Sequence, residues 1–352
     1  MAAQSDPALA GGRHAPRATL VVTAKPGARC GVSDYTEKLR TIIGERGLDV
    51  RVERLPTWSF RGLLRVWRQG VGHRRSVVHV QYPSMNLGKS PAVALAPVLI
   101  GGDRLYLTLH EFTIFNRVRK CYFLTYALSR ATVIFSNEFE RRAFEAFFPV
   151  RRCRTRVVPI GSNITVGRPG VPSEAREPTL VYFGQIGPDK GLDVVLAVSE
   201  RLRAEGERIA IAVIGSPSGP DCPVFRDVAA QADRLGLRLV LNAEPEQVSD
   251  ELSRARVALL PFPDGVSEKR GSALACLEHG VAVVTTHSAK TPDWLRASTV
   301  PHVSIEATVT AIRSLISAEG HRAAVGNRDP EALRARSWPS IAERHLALYG
   351  LE

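Results

Sequence analysis

The sequence predicts an α/β protein built from two doubly wound, Rossmann-like units. Three observations carry that expectation. Short apolar, β-rich runs alternate with helical patterns along both halves, as strands joined by crossover helices do. A Gly/Pro-rich stretch over 166–178, VGRPGVPSEAREP, lacks apolar periodicity and reads as a linker. At 352 residues the chain is long enough for two separate cores.

In the first half, strands are expected at Thr19–Thr23, Leu48–Val52, Ser76–Tyr82, Arg104–His110, Ala131–Ser136 and Arg156–Ile160. A helix is expected over Asp34–Ile43, where Tyr35, Leu39, Ile42 and Ile43 share a face and Asp34 and Glu37 mark the start. In the second half, strands are expected at Thr179–Gly184, Ile209–Gly215, Leu237–Asn242, Val257–Leu260 and Val281–Thr286. Ser337 to Tyr349 reads as an amphipathic helix, with Ile341, His345, Leu346 and Tyr349 at helical spacing. The expected organisation is a flexible tail over 1–18, a first unit over 19–165, the linker at 166–178, a second unit over 179–336 and a closing helix over 337–352.

Composition narrows the function classes. Apolar residues make up 44% and charged residues 23%, which fits a globular chain. Five widely spaced cysteines show no CxxC or Cys/His spacing, so neither a disulfide framework nor a zinc site is expected. The first 18 residues lack the apolar run of a signal peptide, and Pro91–Gly102 is too short to span a bilayer. The expected location is cytoplasmic, with contact to a membrane from its inner face. Residues 1–172 hold 27 Lys+Arg against 11 Asp+Glu, a net of +16, whereas the rest of the chain nets −4. A basic first half points to an anionic partner: a membrane surface, a lipid-linked phosphate or a nucleic acid. No helix-turn-helix, zinc-finger or RNA-binding signature supports the last.

The most informative segment is Pro261–Thr286, PFPDGVSEKRGSALACLEHGVAVVTT. A strand ends in a loop bearing Ser267, Glu268, Lys269 and Arg270, and Gly271 and Ser272 then open a short helix. Free backbone N–H groups at a helix start, with cations beside them, suit a diphosphate. The competing reading is an ordinary strand–loop–helix unit with a solvated basic loop. Lys190 follows the loop Gln185–Asp189 and precedes a helix, where a cation reaches a phosphate or simply faces solvent. Gly31 lies in KPGARCGVSD, a loop fit for close approach of backbone to ligand but not the GxGxxG of dinucleotide binding. His110 and Glu111 close a strand at the sheet edge where ligands bind. Asn137 and Glu138 stand at the next such edge. Trp58–Arg75 and Phe115–Arg130 interleave aromatic and basic residues, as a membrane interface or a core helix with solvated arginines would.

Taken together, these segments resemble the bacterial retaining glycosyltransferases of the GT-B fold, glycosyltransferase family 4 or group 1. The strongest marks are GQIGPDKGLDVVLAV (184–198) and LPFPDGVSEKRGSALACLEHGVAVVTT (260–286). GARCGVSDYTEKL (27–39), LHEF (109–112), VVPIGSN (157–163) and SWPSIAERHLALY (337–349) are weaker. The resemblance implies two domains facing a cleft. A nucleoside diphosphate sugar would be held mainly on the second, a glycan or lipid-linked acceptor on the first, and the last helix would cross back to the first. It implies no cofactor and no metal, since protein cations and helix starts neutralise the leaving diphosphate, and no Asp-x-Asp motif is present. Lys190 falls at the family's donor-binding lysine. Gln185 stands where relatives often have Arg, a charge that Arg270 would replace. Gly31 would leave room for the donor phosphate, and His110 would contact the transferred sugar.

One departure from the family stands out. The Glu-x7-Glu of many relatives falls on Ser267 and Ala275 here, so the usual ribose-binding carboxylate is missing. Glu268, one residue out of register, is expected to approach the sugar or ribose, as are Glu111, Gln185 and Ser267, whereas Glu278, one turn beyond Ala275, is expected to face solvent. The resemblance implies transfer of a sugar to an acceptor hydroxyl with retention, in bacterial polysaccharide or glycoconjugate synthesis. Two alternatives stay open: a degenerate relative that binds without turnover, and a sugar-nucleotide epimerase or phosphorylase of the same architecture.

Overall fold

The structure, a computed structural model, describes residues 18–23, 31–71, 76–84, 90–167 and 170–351. The expected tail (but for Ala18), the loop 24–30, Arg74 and Arg75 lie outside the described residues. The chain divides into two compact units. The first ends at Val157 and takes the chain back from Leu346, and the second is Val158–His345.

Among the described residues, the first unit holds six parallel strands: β1 Ala18–Thr23, β2 Val50–Leu55, β3 Val77–Tyr82, β4 Leu105–Leu109, β5 Thr132–Phe135 and β6 Arg154–Val157. Their order is β2-β1-β3-β4-β5-β6. The inner strands β1, β3, β4 and β5 are buried along their whole length, so they read as nearly continuous apolar runs. Edge strands read differently. In β2 and β6 the arginines alternate with inward residues, which blurs the strand signal. That is why β2 runs on to Leu55 and β6 starts at Arg154, both unlike the sequence expectation. The helix Gly31–Glu45 buries Tyr35, Leu39 and Ile43 on one face, as its spacing predicts.

The second unit holds β7 Glu177–Phe183, β8 Ala210–Gly215, β9 Leu237–Leu241, β10 Ala255–Leu260, β11 Ala282–Thr285 and β12 Val300–Pro301. All pairings are parallel, in the order β12-β11-β10-β7-β8-β9. The two-residue β12 carries too little pattern to be foreseen. Leu180, Val213, Val257 and Val283 sit among the fully or nearly fully buried core residues, each contributing roughly 1.5–3 kcal/mol.

Strand order fixes where a ligand can bind. In the second sheet the chain winds outward from β7 through β8 to β9, then returns to β10 on the other side of β7. The carboxyl ends of β7 and β10 are therefore a topological switch point, where open parallel sheets bind ligands. In the first sheet the switch lies between β1 and β3. There the Thr23 hydroxyl meets the Ser84 hydroxyl at 2.5 Å, and the Thr23 N–H donates to Ser84 Oγ at 3.1 Å.

Candidate functional site

Lys190 follows β7 and Arg270 follows β10, so topology brings both to the switch point of the second unit. Two left-handed residues shape the Lys190 loop. Asp189 has φ 56°, which a short polar side chain tolerates, and Gly191 has φ 73°. Gly191 also packs against the other loop: a Cβ there would stand 2.1 Å from the Pro261 carbonyl oxygen. The two loops are thus locked together by backbone contact. The Lys190 ammonium is half-buried and has no ion pair or hydrogen bond within the described residues.

Arg270 precedes the helix Gly271–Glu278. Its guanidinium lies 4.6 Å over the Phe262 ring and pairs with Asp264, which Lys290 also approaches at 3.7 Å. Two cations thus share one carboxylate, and the local charge stays positive. No side chain caps the helix. The Arg270 carbonyl takes the N–H groups of Ala273 and Leu274, while the Ser272 N–H meets no acceptor. A Cβ built on Gly271 would meet nothing within 4 Å, so the space before the helix start is open. Cation, free N–H and open space coincide, which is what binding of a diphosphate needs.

The remaining residues of that loop fall in different places. Gln185 is exposed, and its carbonyl accepts from the Tyr182 hydroxyl at 2.9 Å. Burial pushes the Tyr182 phenol up, so it stays a neutral donor, while the nearby Arg270 charge pulls the other way. Ser267 is half-buried and turns the loop through its carbonyl, which accepts from Arg270 N–H at 3.0 Å. Glu268 Oε1 accepts from Trp294 Nε1 at 3.1 Å and from Arg336, which stacks on the Trp294 ring at 4.2 Å. Ala275 is fully buried in the core. Burial raises the Glu278 carboxyl to about 7, with the Ser162 N–H and the Arg336 charge holding it down.

In the first unit, Gly31 opens the helix Gly31–Glu45 and is exposed, with nothing within 4 Å of a Cβ built on it. His110 follows β4 and is nearly buried, at 8% exposure. Its Nε2–H donates to Gln81 Oε1 at 2.9 Å, and its ring meets Tyr35 edge-on at 5.4 Å. The strand period of two puts Gln81 and His79 on the same face of β3. His79 Nδ1–H donates to the Tyr349 hydroxyl at 2.5 Å, and its Nε2 accepts from Thr108 at 2.7 Å. Glu111 is half-buried beside His110. The turn that follows is held by buried Glu140, whose carboxylate accepts from the N–H groups of Phe112 (2.7 Å) and Thr113 (2.9 Å). Asn137 spends its side-chain oxygen capping a helix at Glu140 N–H, 2.9 Å, and Glu138 pairs with Arg141. Sequence reasoning passed over Gln81, Glu140 and Arg336. A polar residue inside the apolar run VVHVQY was the available signal for Gln81.

The aromatic and basic stretches are split by burial. Trp58, Leu63, Val66, Phe115, Phe123 and Tyr126 are core residues, whereas Phe60, Ile114, Val118, Leu124 and Leu128 are exposed. No group of three or more His, Cys, Asp or Glu side chains among the described residues could hold a metal ion. No helix among them is long and apolar enough to cross a membrane.

Residues 177–318 match the family described as glycosyl transferases group 1. That match lies wholly within the second unit, Val158–His345. Over 210 residues it is 28% identical to a D-inositol 3-phosphate glycosyltransferase of Segniliparus rotundus, covering 55% of this chain and 46% of that protein. The match therefore spans about half the length of that curated relative. A glycosyltransferase from Rickettsia africae superposes with a TM-score of 0.70 at 12% identity, covering 94% of this chain and 97% of the other. HepE of Anabaena, solved in complex with UDP, gives 0.70 at 14%, covering 95% and 99%. These likenesses show the fold: two Rossmann-like domains in one chain, as in GT-B proteins.

Proposed function

We propose that this protein transfers a sugar from a nucleoside diphosphate sugar to an acceptor hydroxyl. One observation carries the reading. At the switch point between β7 and β10, Lys190 without an ion pair and Arg270 flank a helix start whose Ser272 N–H and forward space are open. A leaving diphosphate gains charge as the glycosidic bond breaks, so donors already fixed there stabilise the transition state more than the ground state. Lys190 and Arg270 serve as leaving-group stabilisers, Gly271 and Ser272 as diphosphate binders, and Gly31 leaves room for the donor phosphate. His110 contacts the transferred sugar. The UDP bound to HepE makes UDP the first nucleotide to try. The reaction proceeds with retention, without a metal, in polysaccharide or glycoconjugate synthesis.

The acceptor is a glycan or lipid-linked hydroxyl presented near an anionic membrane. Exposed Phe60 begins the helix Phe60–Val71, which bears Arg61, Arg65 and Arg68, and exposed Val118 lies between Arg117 and Arg119. Such mixing of apolar and basic groups suits a charged lipid surface at the cytoplasmic face.

A second reading is favoured by Ala275, whose burial leaves no carboxylate at the usual ribose position, and by Glu268, whose Oε1 is taken by Trp294 and Arg336. There the protein binds a sugar nucleotide without turnover. Isothermal titration with nucleoside diphosphates, followed by an assay for nucleoside diphosphate released in the presence of acceptor, separates the two. Binding with acceptor-dependent release is expected. Binding without release establishes the second reading, and no binding by any nucleoside diphosphate contradicts both.

A further inference from the structure

The second unit has a cavity of about 310 Å³ at the amino ends of β7 and β11, the sheet edge opposite the diphosphate site. Its lining includes Arg176, Arg322, Arg328, His321, Glu174 and Glu278. We propose that this cavity binds a small oxyanion of the phosphate class.

The cavity wall carries buried positive charge. Arg176 is buried, at 5% exposure, and every hydrogen bond of its guanidinium goes to a carbonyl: Val171, Leu252, Ala255 and His279. Arg328 does the same with Val325 and Leu277, at 2.9 and 2.6 Å. Neither has a carboxylate partner among the described residues. The two cations lie close together. A Cβ built on Gly280 would stand 2.8 Å from Arg176 Nη2 and 3.6 Å from Arg328 Nη1. Burial and the neighbouring Arg328 charge hold Arg176 down to about 10. Several of the accepting carbonyls end the helices Pro245–Arg254, Gly271–Glu278 and Ala318–Gly326, so partial negative charge fixes the guanidiniums in place. Those partial charges do not exhaust the donors. A guanidinium has five N–H groups, and Arg328 commits only its Nε and Nη1. Of the two carboxylates on the wall, Glu174 pairs with Arg322, and Glu278 is held largely protonated below neutrality by burial. His321 is neutral, since its Nε2–H donates to Gly280 O (2.9 Å) and its Nδ1 accepts from Ser173 (2.8 Å). A cavity with surplus buried cation and unspent planar donors selects an anion that accepts several hydrogen bonds at once.

The experiment is a thermal-shift and calorimetric titration with inorganic phosphate, against sodium chloride at equal ionic strength. Phosphate is expected to raise the melting temperature of the wild type and of the Lys190→Ala/Arg270→Ala double variant. The gain is expected to vanish in Arg328→Gln and to need several-fold more phosphate in Arg322→Gln, whose exposed side chain can be replaced without emptying the core. No gain over chloride overturns the proposal and makes the arginines structural staples. A gain lost in the double variant but kept in Arg322→Gln also overturns it, by placing phosphate at the other edge.

Discussion

Gln81 Oε1 accepts the Nε2 hydrogen of His110 at 2.9 Å. The amide thereby fixes which imidazole nitrogen carries the proton and holds the ring against Tyr35. His79 stands behind it: its Nε2 lies 3.4 Å from the Gln81 amide nitrogen, and its Nδ1 reaches the Tyr349 hydroxyl. The histidine at the end of β4 is therefore positioned by a buried polar chain.

Replacing Gln81 with Leu removes that constraint while keeping the side chain's bulk. Turnover is expected to fall about fivefold, the worth of one buried hydrogen bond at roughly 1 kcal/mol, with nucleotide affinity unchanged. Steady-state kinetics beside a nucleotide titration check this. A loss of affinity without loss of turnover goes against it.

Gly191 is the contact between the two loops. Gly191→Ala meets a left-handed backbone, costing roughly 1–2 kcal/mol, and pushes on the Pro261 carbonyl. Urea denaturation is expected to show at least that loss. Nucleoside diphosphate affinity is expected to drop with it, because the loops carrying Lys190 and Arg270 move apart.

Glu268 neutralises Arg336, which is buried at 6% exposure and stacked on Trp294. Glu268→Ala leaves that cation without its carboxylate, so stability is expected to fall by about 3 kcal/mol. Chemical denaturation measures it, and Glu268→Gln, which keeps an acceptor oxygen, is expected to lose less.

The sequence showed most of the sheet and only part of the site, for physical reasons. Inner strands such as Leu105–Leu109 and Ala255–Leu260 are buried on both faces and stand out as apolar runs. Edge strands alternate, so arginines in Val50–Leu55 and Arg154–Val157 hid their bounds. Lys190 and Arg270 were legible as candidates because glycine, cation and helix start are adjacent in sequence. Gln81 and Glu140 act across 29 and 28 residues, on His110 and on Phe112, and no local pattern encodes such a contact. From composition Trp58, Phe115 and Tyr126 fitted either a membrane interface or a core helix, and burial assigns them to the core.

Acid sensitivity follows from His321. Burial lowers its pKa from 6.5 to about 4, so the folded state holds it neutral while the unfolded chain protonates. Its contribution is fully present above pH 6.5 and is lost as pH falls through 4, up to about 3 kcal/mol. Urea midpoints measured from pH 7 to 4 are expected to decline. The decline is expected to be shallower in His321→Gln, and equal slopes would count against this origin.

The diphosphate site between β7 and β10 is tested by a calorimetric titration of nucleoside diphosphates, UDP first, into wild type, Lys190→Ala and Arg270→Ala. Saturable binding is expected of the wild type and at least a tenfold weaker affinity of each variant, with folding intact by circular dichroism. Wild-type affinity retained in both variants would show that the diphosphate is held elsewhere and would contradict it.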